Sequence, residues 1–403
     1  MDKKWVMIPD VLFFQEGPGV RNTQYTSEGV KLLNVANLVD GRVDLSTSNR
    51  YISEEEAYGK YSHFLCDDGD FIVASSGIKV EYIDKKMGFI DRSMLPLCMN
   101  TSTIRFKVLN PEELRIRYFM YYLKSMHFKG QLFKLITGSA QLNYGPSHLK
   151  QMKMPLINID KQDEIINNLD ILQRIIDARH EELLKLDELI KARFVELFGD
   201  LKTNEKGFTK APMGEYMTLL TDFSSNGSYK TLDSGVTMYD EPNYAWMVRT
   251  TDLESGDMSS IKYIDEKAYE LLSKSKIYGG EIIMNKIGSA GKVYLMPEID
   301  MPASLGRNAF MFRYDDRINV RFLYEQLVSE YGQAEIQQYV RGAVTKTITK
   351  DDARSVLIIV PKKELQDEYA EFVKQVDKSK VAVEKALDET QTLFDSLMQE
   401  YLG

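Results

Sequence analysis

Hydrophobic residues recur every three or four positions through residues 160–200, a stretch without proline and with glycine only at Gly199. This heptad pattern is typical of a helix that packs along a second helix. The apolar positions are Ile165, Leu169, Leu172, Ile176, Leu183, Leu186, Ile190 and Leu197, with Arg179 and Arg193 as the polar exceptions. Such a helix is ~60 Å long at about 1.5 Å per residue, so the pattern predicts a partner helix of similar length.

The same pattern returns at the end of the chain. A shift of 204 positions superposes the Gln-Asp-Glu triplet at Gln162 on the one at Gln366, and Gly199 on Gly403. The second set of seam positions is Tyr369, Val373, Val376, Val383, Leu387, Phe394, Leu397 and Tyr401, with Lys380 and Thr390 as exceptions. We interpret the two helices as copies in an internal repeat.

Elsewhere, short β-rich runs alternate with Gly, Asp, Asn and Ser, which is typical of strands joined by turns. In the first part the predicted strands are Val30–Leu38, Arg50–Ile52, Asp70–Ala74, Met87–Ile90 and Thr103–Val108. Pro111 and the two glutamates after it predict a helix that runs to about Lys129. The second part repeats this order with Tyr244–Leu253, Gly280–Asn285 and a helix around Arg321–Val340.

The spacing between matched motifs changes along the repeat. It is 215 from Gly41 to Gly256, 211 from Gly69 to Gly280 and 204 at the helices, so insertions and deletions lie within the globular parts. We predict an α+β protein with two globular domains in an internal repeat, joined by two long antiparallel coiled-coil helices. The predicted segments are 1–159 (globular), 160–200 (helix), 201–361 (globular) and 362–403 (helix).

The net charge of -9 is confined to the two helices. Residues 160–200 hold 11 acidic and 6 basic residues, and residues 362–403 hold 10 and 6. The globular parts are therefore neutral, and the overall acidity does not argue against binding to nucleic acid.

No apolar run approaches the roughly 18 residues that span a bilayer, and the amino terminus lacks the apolar core of a signal peptide. The only cysteines, Cys66 and Cys98, form no CxxC pair, which argues against a zinc site or a disulfide framework. We expect a cytoplasmic protein with no membrane association.

Motifs for catalysis are missing from the sequence. It contains no GxGxxG and no GxxxxGK[ST] phosphate loop, and its four histidines have no metal-site spacing. It contains no methyltransferase motif of the (D/N/S)PP(Y/F) type and no zinc-deaminase signature. Pro9-Asp10 is not followed by the Glu-x-Lys of a metal nuclease. We expect no catalytic residue and no metal site.

A basic, aromatic stretch without acids covers residues 114–159. Positive charge without competing carboxylates suits DNA phosphates, and aromatic side chains can pack against bases or sugars. The alternative is a helix with core aromatics and solvated lysines. Lys129, Lys134 and Tyr144 are our candidates for contact with DNA in this stretch.

Polar, glycine-bearing loops follow matched strands in both copies, and further polar loops precede each long helix. Such side chains and close backbone approach suit phosphates and base edges, although hairpin loops and helix-capping connectors look similar. The first-copy candidates are Ser75, Ser76, Lys79, Gln141, Asn143 and Tyr144. The second-copy candidates are Arg249, Asn285, Lys286, Ser289, Lys292, Arg307, Asn308, Arg341 and Lys346.

Taken together, two dissimilar globular parts, each followed by a copied helix, resemble the specificity subunit of type I restriction–modification enzymes. The resemblance covers the whole chain. It is carried also by GDFIVASSG at 69–77, GEIIMNKIG at 280–288 and TGSAQLNYGPSHLKQMKMPLINIDKQDEI at 137–165. The last is similar to the family's glycine–glutamine loop. Its second copy at 341–369 is more divergent and lacks a counterpart of Gln141.

The resemblance implies that each globular part is a target-recognition domain that reads half of a split site in double-stranded DNA, with helix length setting the gap. It implies partnership with two methyltransferase subunits and two translocase–nuclease restriction subunits, which bind AdoMet, ATP and Mg²⁺, while this chain binds no cofactor. Alternatives are a related split-site system, methylation-only or cutting beside the site, a self-contained methyltransferase or nuclease, or a coiled-coil adaptor without a role in DNA binding.

Overall fold

The structure, a computed structural model, describes residues 3–136 and 142–403 and divides into two compact units. The first unit contains the chain up to Glu181 together with Glu384–Gly403, and the second is Glu182–Val383. Each long helix therefore contributes one part to each unit. The predicted α+β fold with an internal repeat is confirmed, whereas the four predicted segment boundaries stay a prediction.

The strands and helices of the first unit occur in an order that the second unit repeats. Its strands are β1 (Lys4–Met7), β2 (Leu12–Glu16), β3 (Val30–Leu33), β4 (Leu38–Val39), β5 (Arg42–Val43), β6 (Tyr51–Ile52), β7 (Phe71–Ala74), β8 (Ser76–Ile78), β9 (Met87–Phe89), β10 (Leu97–Met99), β11 (Thr103–Val108), β12 (Leu142–Asn143) and β13 (Lys153–Leu156). Its helices are α1 (Ile8–Val11), α2 (Glu54–Tyr58), α3 (Ile116–Lys124), α4 (Met126–Leu135) and α5 (Pro146–Leu149), followed by the long α6 (Ile159–Phe198).

The second unit has fewer short strands. They are β14 (Thr209–Pro212), β15 (Met217–Asp222), β16 (Ala245–Val248), β17 (Lys262–Ile264), β18 (Lys276–Ile277), β19 (Ile282–Asn285), β20 (Val293–Leu295), β21 (Ala303–Leu305), β22 (Ala309–Tyr314) and β23 (Leu357–Val360). The helices are α7 (Tyr229–Gly235), α8 (Thr250–Ser255), α9 (Glu266–Leu271), α10 (Val320–Val328), α11 (Glu330–Gln337), α12 (Lys350–Ser355) and the long α13 (Lys363–Leu402).

A four-stranded antiparallel sheet forms the centre of each unit, in the order β2-β11-β7-β9 in the first and β15-β22-β19-β20 in the second. Strand β7 is buried on both faces, because Phe71 and Val73 pack towards the helices while Ile72 and Ala74 pack towards strands β3 and β10. Burial on both faces explains its continuous hydrophobic run. A second sheet, β10-β3-β6 or β17-β16-β21-β18, contains one parallel pair in each unit.

The prediction of one helix from Pro111 to about Lys129 is wrong, because the helix starts later and is divided into two. It begins at Ile116 and is interrupted at Ser125, where the hydroxyl caps α4 by accepting a hydrogen bond from the Phe128 amide at 3.3 Å. Ser329 interrupts the helix predicted in the second copy in the same way, by capping α11. An extended serine that caps the next helix ends the preceding one.

The heptad pattern is confirmed as a packed seam within each unit. In the first unit Ile165 and Leu169 of α6 are buried in one core with Phe394 and Leu402 of α13. Asn168 donates to the Tyr401 hydroxyl at 3.4 Å, so the start of one helix meets the end of the other.

In the second unit, salt bridges from Arg193 to Glu368 (2.6 Å) and from Lys380 to Asp187 (2.6 Å) give the same antiparallel direction. Here the buried positions of α6 shift from the predicted Leu197 to Phe194 and Phe198, which also pack on the globular part. The globular domain therefore changes which residues of the helix are buried.

A buried glutamine anchors the long helix to its globular part. The side chain of Gln162 is fully buried; its carbonyl oxygen accepts from the Arg115 amide at 2.9 Å. Its amide group donates to the carbonyl oxygens of Glu113 at 2.8 Å and Ile157 at 2.9 Å. One side chain thus joins the start of α6 to the segment before α3.

Gln366 makes the same three contacts 204 positions later. It accepts from the Asn319 amide at 2.8 Å and donates to the carbonyl oxygens of Arg317 at 3.2 Å and Pro361 at 2.8 Å. Each of these three partners lies 204 positions after the corresponding partner of Gln162. A shared buried anchor therefore explains why the glutamine of the Gln-Asp-Glu triplet recurs.

Candidate nucleic-acid interface

Loops gather at one edge of the central sheet in each unit. In the antiparallel order β2-β11-β7-β9, the ends of β2 and β7 lie beside the starts of β11 and β9. The same applies to β15-β22-β19-β20. We call this the loop edge, formed by residues 16–17, 75–79, 100–102 and 143–145 in the first unit and 222–226, 286–292, 306–308 and 346–350 in the second.

Backbone hydrogen bonds join the predicted loops at the first loop edge. The Ser75 amide donates to the Ser102 carbonyl at 2.8 Å, and the Tyr144 amide donates to the Ser75 carbonyl at 2.9 Å. Strands β8 and β12 also pair there. The loop after β7 and the segment before the long helix, two separate candidates in the sequence, therefore form one surface.

The second loop edge has the same backbone connections. The Lys286 amide donates to the Asn308 carbonyl at 2.8 Å, and the Ile348 amide donates to the Lys286 carbonyl at 3.0 Å. Asn308 and its counterpart Ser102 both have φ of 68°, a left-handed conformation that asparagine and serine adopt less readily than glycine. The two units therefore present one loop geometry with different side chains.

The first-copy candidates divide by exposure. Lys79 and Asn143 are exposed and Ser76 is half-buried, so all three can meet a ligand. Ser75 and Tyr144 are buried: the Ser75 hydroxyl donates to Glu16 at 3.4 Å, and burial raises the pKa of Tyr144. These two residues support the loops from beneath. Gln141 lies outside the described residues.

Acidic residues from other segments reach the basic stretch 114–159. Lys129 lies 3.1 Å from Asp84 and also donates to the Glu81 carbonyl at 3.0 Å. Arg115 lies 2.8 Å from the Asp163 carboxylate of α6, and Arg117 lies 2.7 Å from the Asp170 carboxylate of the same helix. Lys134 is exposed. The lack of acids in the local sequence therefore does not make this surface free of carboxylates.

The aromatic residues of this stretch are mostly core, as the alternative interpretation expects. Tyr118, Phe119, Tyr121, Tyr122 and Phe128 are buried in the first unit's main cluster. Phe133 is the exception, with 70% of its surface exposed.

The second-copy candidates also divide by exposure and partner. Ser289, Asn308 and Lys346 are exposed, whereas Asn285 is buried. The other five each pair with a carboxylate: Arg249 with Asp252, Lys286 with Asp222, Lys292 with Glu254, Arg307 with Asp233 and Arg341 with Asp352.

Asp222 and Lys350 lie at the second loop edge, although the sequence pattern does not single them out. Burial of the Asp222 carboxylate opposes its ionisation, but hydrogen bonds from Lys286 and Lys350 outweigh burial and hold its pKa well below the usual range. The signal available in the sequence is positional, since Asp222 ends the strand that matches the one ended by Glu16.

Concave surfaces border the second loop edge. A cavity of about 200 Å³ is lined by Phe223, Tyr229, Lys286, Arg307 and Asn308 among others. A wider groove of about 730 Å³ is lined by Glu254, Ser289, Lys292, Tyr324 and Lys346 among others. Both contain cations and aromatic rings, the groups that contact phosphates and bases.

No site for a metal ion is formed by the residues that the structure describes, since three or more His, Cys, Asp or Glu side chains never converge there. Over the same part of the chain, no helix is long and apolar enough to cross a membrane.

Two curated proteins of Methanocaldococcus jannaschii are similar to this chain. The type I restriction enzyme MjaVIII specificity subunit is 23% identical over 194 residues, which cover 47% of this chain and 44% of that protein. The putative type I restriction enzyme MjaX specificity subunit is 21% identical over 392 residues, which cover 89% of this chain and 84% of that protein. The first match thus spans under half of the relative.

Solved structures share the fold over nearly the full chain. The type I restriction–modification S subunit from M. genitalium has a TM-score of 0.58 at 17% identity, covering 98% of this chain and 96% of its own. A chain from a structural study of complex assembly and conformational transition of the type I R-M system has a TM-score of 0.55 at 16% identity, covering 99% and 97%.

The repeat itself matches a known family. Residues 27–188 and 215–390 each match the type I restriction modification DNA specificity domain. These two matches cover most of the chain and coincide with the two copies found in the sequence and the fold. The chain therefore belongs to the family of type I restriction–modification specificity subunits.

Proposed function

We propose that this chain is the DNA-reading subunit of a type I restriction–modification enzyme, and that each unit reads one half of a split double-stranded site. The observation that carries the proposal is the repeated loop edge. The same backbone connections occur in both units, at Ser75 and at Lys286, while the side chains that they present differ. One scaffold with two surfaces suits two different half-sites.

The exposed polar residues of the loop edges are the proposed contacts with DNA. Serine, asparagine and lysine can donate to phosphates or to base edges in the major groove. The first unit offers Lys79, Asn143 and the half-buried Ser76, and the second offers Ser289, Arg307, Asn308 and Lys346. Arg341, which is exposed and precedes residues 346–350 in the chain, is a further proposed contact. Ser75, Tyr144 and Asn285 support these loops from beneath.

The outer faces of the long helices are the proposed docking surfaces for methyltransferase subunits. Leu189 and Leu393 are 45% and 49% exposed, and the shift of 204 that relates the two helices also relates these leucines. Matched exposed leucines suit two copies of one partner. We propose two methyltransferase and two restriction subunits, which would carry AdoMet, ATP and Mg²⁺, in the cytoplasm. This chain is then a non-catalytic scaffold.

Helix length is the proposed ruler for the gap between half-sites. Each helix contains 40 residues and is ~60 Å long, which exceeds the roughly 34 Å of one DNA turn. A rod of this length can hold two readers on one face of the duplex.

The proposal is tested by co-expressing the chain with its methyltransferase subunit and sequencing the methylated adenines in host DNA. We expect one motif with two specified halves and a gap of constant length. Cells with the methyltransferase alone are the control and should lack the motif. A contiguous motif, or an unchanged motif in the control, would contradict the proposal. AdoMet binding by this chain alone would instead favour a self-contained methyltransferase.

A further inference from the structure

One buried carboxylate holds three segments of the second loop edge together. Asp222 ends β15, Lys286 follows β19 and Lys350 begins α12. Both lysine Nζ atoms lie 2.8 Å from the Asp222 carboxylate, one at each oxygen. The Asp222 side chain is 7% exposed, whereas those of Lys286 and Lys350 are 19% and 33% exposed. The carboxylate is therefore covered while the lysines reach the surface.

The acceptor capacity of Asp222 is fully used. Besides the two lysines, it accepts from the Ser224 hydroxyl at 2.6 Å, from the Ser225 hydroxyl at 2.6 Å and from the Ser225 amide at 3.1 Å. A carboxylate offers about four lone-pair sites. Asp222 thus makes all the contacts that it can, and its position is fixed by its neighbours.

The lysines are restrained but keep spare hydrogen-bond donors. Lys350 also donates to the Ser225 hydroxyl at 2.8 Å, and the Lys286 ammonium lies 5.8 Å from the centre of the Phe310 ring. Each ammonium group has three N–H donors. Two cations against one carboxylate leave the cluster with an excess positive charge at the border of the 200 Å³ cavity that Lys286 lines.

The counterpart in the first unit lacks these cations. Glu16 pairs with Ile104 in its sheet as Asp222 pairs with Phe310, so the two carboxylates occupy matched positions. Ser75 and Pro146 stand where Lys286 and Lys350 stand in the second unit. Among the described residues, Glu16 accepts one side-chain hydrogen bond, from Ser75 at 3.4 Å. The pairing of one buried carboxylate with two lysines is therefore a property of the second unit.

We propose that Asp222 is a positioning residue for DNA recognition, which holds Lys286 and Lys350 in one geometry at the second loop edge. This inference rests on the proposed function. Two mobile lysines would attract any duplex through its phosphates, since phosphate contacts carry no sequence information. Two lysines fixed by Asp222 contact phosphates only where the duplex fits the whole edge. Asp222 then contributes to specificity without touching DNA.

The test replaces Asp222 with asparagine in the full chain assembled with its methyltransferase subunits. Asparagine has the same size, but it lacks the negative charge that restrains the lysines. We expect tighter binding to a duplex without the site, with a salt dependence steeper by about 1 to 2 in log–log slope, since each added phosphate contact contributes roughly 0.9. Discrimination against changes in the half-site read by the second unit should fall roughly tenfold, the effect of about one mismatched base pair.

Glu16→Gln is the matched control, because it removes one negative charge at the corresponding position without releasing a lysine. Its salt slope should rise by clearly less than that of Asp222→Asn. Adding Lys350→Met to Asp222→Asn should remove about half of the increase in slope, because one of the two released cations is then absent.

Lys350→Met alone keeps the test decisive if Asp222→Asn does not fold. This partly exposed lysine can be lost without leaving the buried Asp222 carboxylate unpaired, since Lys286 still pairs with it. Discrimination at the second half-site should fall while discrimination at the first is unchanged.

An unchanged salt slope and unchanged discrimination in folded Asp222→Asn, or unchanged discrimination in Lys350→Met, would overturn the inference. These results differ from a failure of the proposed function, in which the unchanged protein itself would not discriminate between duplexes altered in either half.

Discussion

At the scale of single residues, the strongest structural determinants are polar and buried. Gln366 carries three hydrogen bonds to main-chain groups, and it is fully buried. Replacing it with leucine leaves one N–H and two carbonyl groups without partners in an apolar setting. Each unpaired buried group costs ~1–3 kcal/mol, so we expect a loss of about 3 kcal/mol or more in the free energy of unfolding.

Chemical denaturation of the full chain measures this loss. Gln375→Leu is the matched control, because Gln375 is an exposed glutamine on the same helix and in the same unit. We expect it to change the free energy of unfolding by less than about 0.5 kcal/mol. Equal effects of the two substitutions would show that the buried anchor is not important for stability.

The ion pairs of the basic stretch separate two lysines that the sequence treats alike. Lys129 is bound to Asp84 and to a carbonyl, whereas Lys134 is exposed. If this surface faces DNA, Lys134→Ala should weaken binding by flattening the salt dependence by about 0.9 in slope, and Lys129→Ala should change the slope less. Binding titrations at several salt concentrations measure both. A slope that neither substitution alters would exclude this surface from the interface.

At the scale of elements, the helices differ in how well the sequence predicts them. The two long helices, α6 and α13, are found from the sequence, because a heptad seam gives many repeated signals. The helix predicted from Pro111 fails at Ser125, since a single capping serine inside a hydrophobic run gives a weak signal. Its recurrence at Ser329 is visible only when the two copies are compared.

The ends of strands are also predicted unevenly from the sequence. The run Thr103–Val108 is predicted with both ends correct, whereas Val30–Leu38 ends as a strand at Leu33. Beyond Leu33 the chain forms a short 3₁₀ turn at Val35–Asn37, and the Asn37 side chain accepts from the Asn34 amide at 3.0 Å. Side-chain hydrogen bonds to the backbone compete with strand pairing, and local hydropathy does not record them.

We propose that the length of the paired helices α6 and α13 sets the gap between the two half-sites. Deleting one heptad from α6 and the matching heptad from α13 keeps the seam in register and shortens each rod by ~10 Å at about 1.5 Å per residue. The methylated motif should then keep both halves and lose about three base pairs of its gap at roughly 3.4 Å each.

Sequencing of methylated adenines measures the gap directly. Deleting a heptad from α6 alone is the control and should impair assembly, because the seam loses its register. A normal gap in the doubly shortened protein would refute the ruler.

At the scale of the whole molecule, the repeat is the feature that the sequence predicts best. Matching frame, triplets and terminal glycines establish two copies of a globular part and a helix before any coordinates are known. The sequence predicts less well which loops come together to form the candidate site. Loops such as 75–79 and 143–145 are found by their polar residues, but their pairing through Tyr144 depends on contacts across the fold.

Charge is the part of the site that the sequence predicts least. Lys286 and Arg307 read as free cations, yet their partners Asp222 and Asp233 lie more than sixty residues away in the chain. Only the fold brings them together. This is also why Asp222, which is buried and acidic, is absent from a set of residues chosen for binding to a polyanion.

The central claim is that each unit reads one half of a split site, and a domain exchange tests it most directly. Residues 1–150 are replaced by the corresponding residues of a relative with a different target, and the methylated adenines of host DNA are sequenced. We predict that one half of the motif changes to that of the relative, while the other half and the gap are retained. A change in both halves, or in neither, would contradict the account.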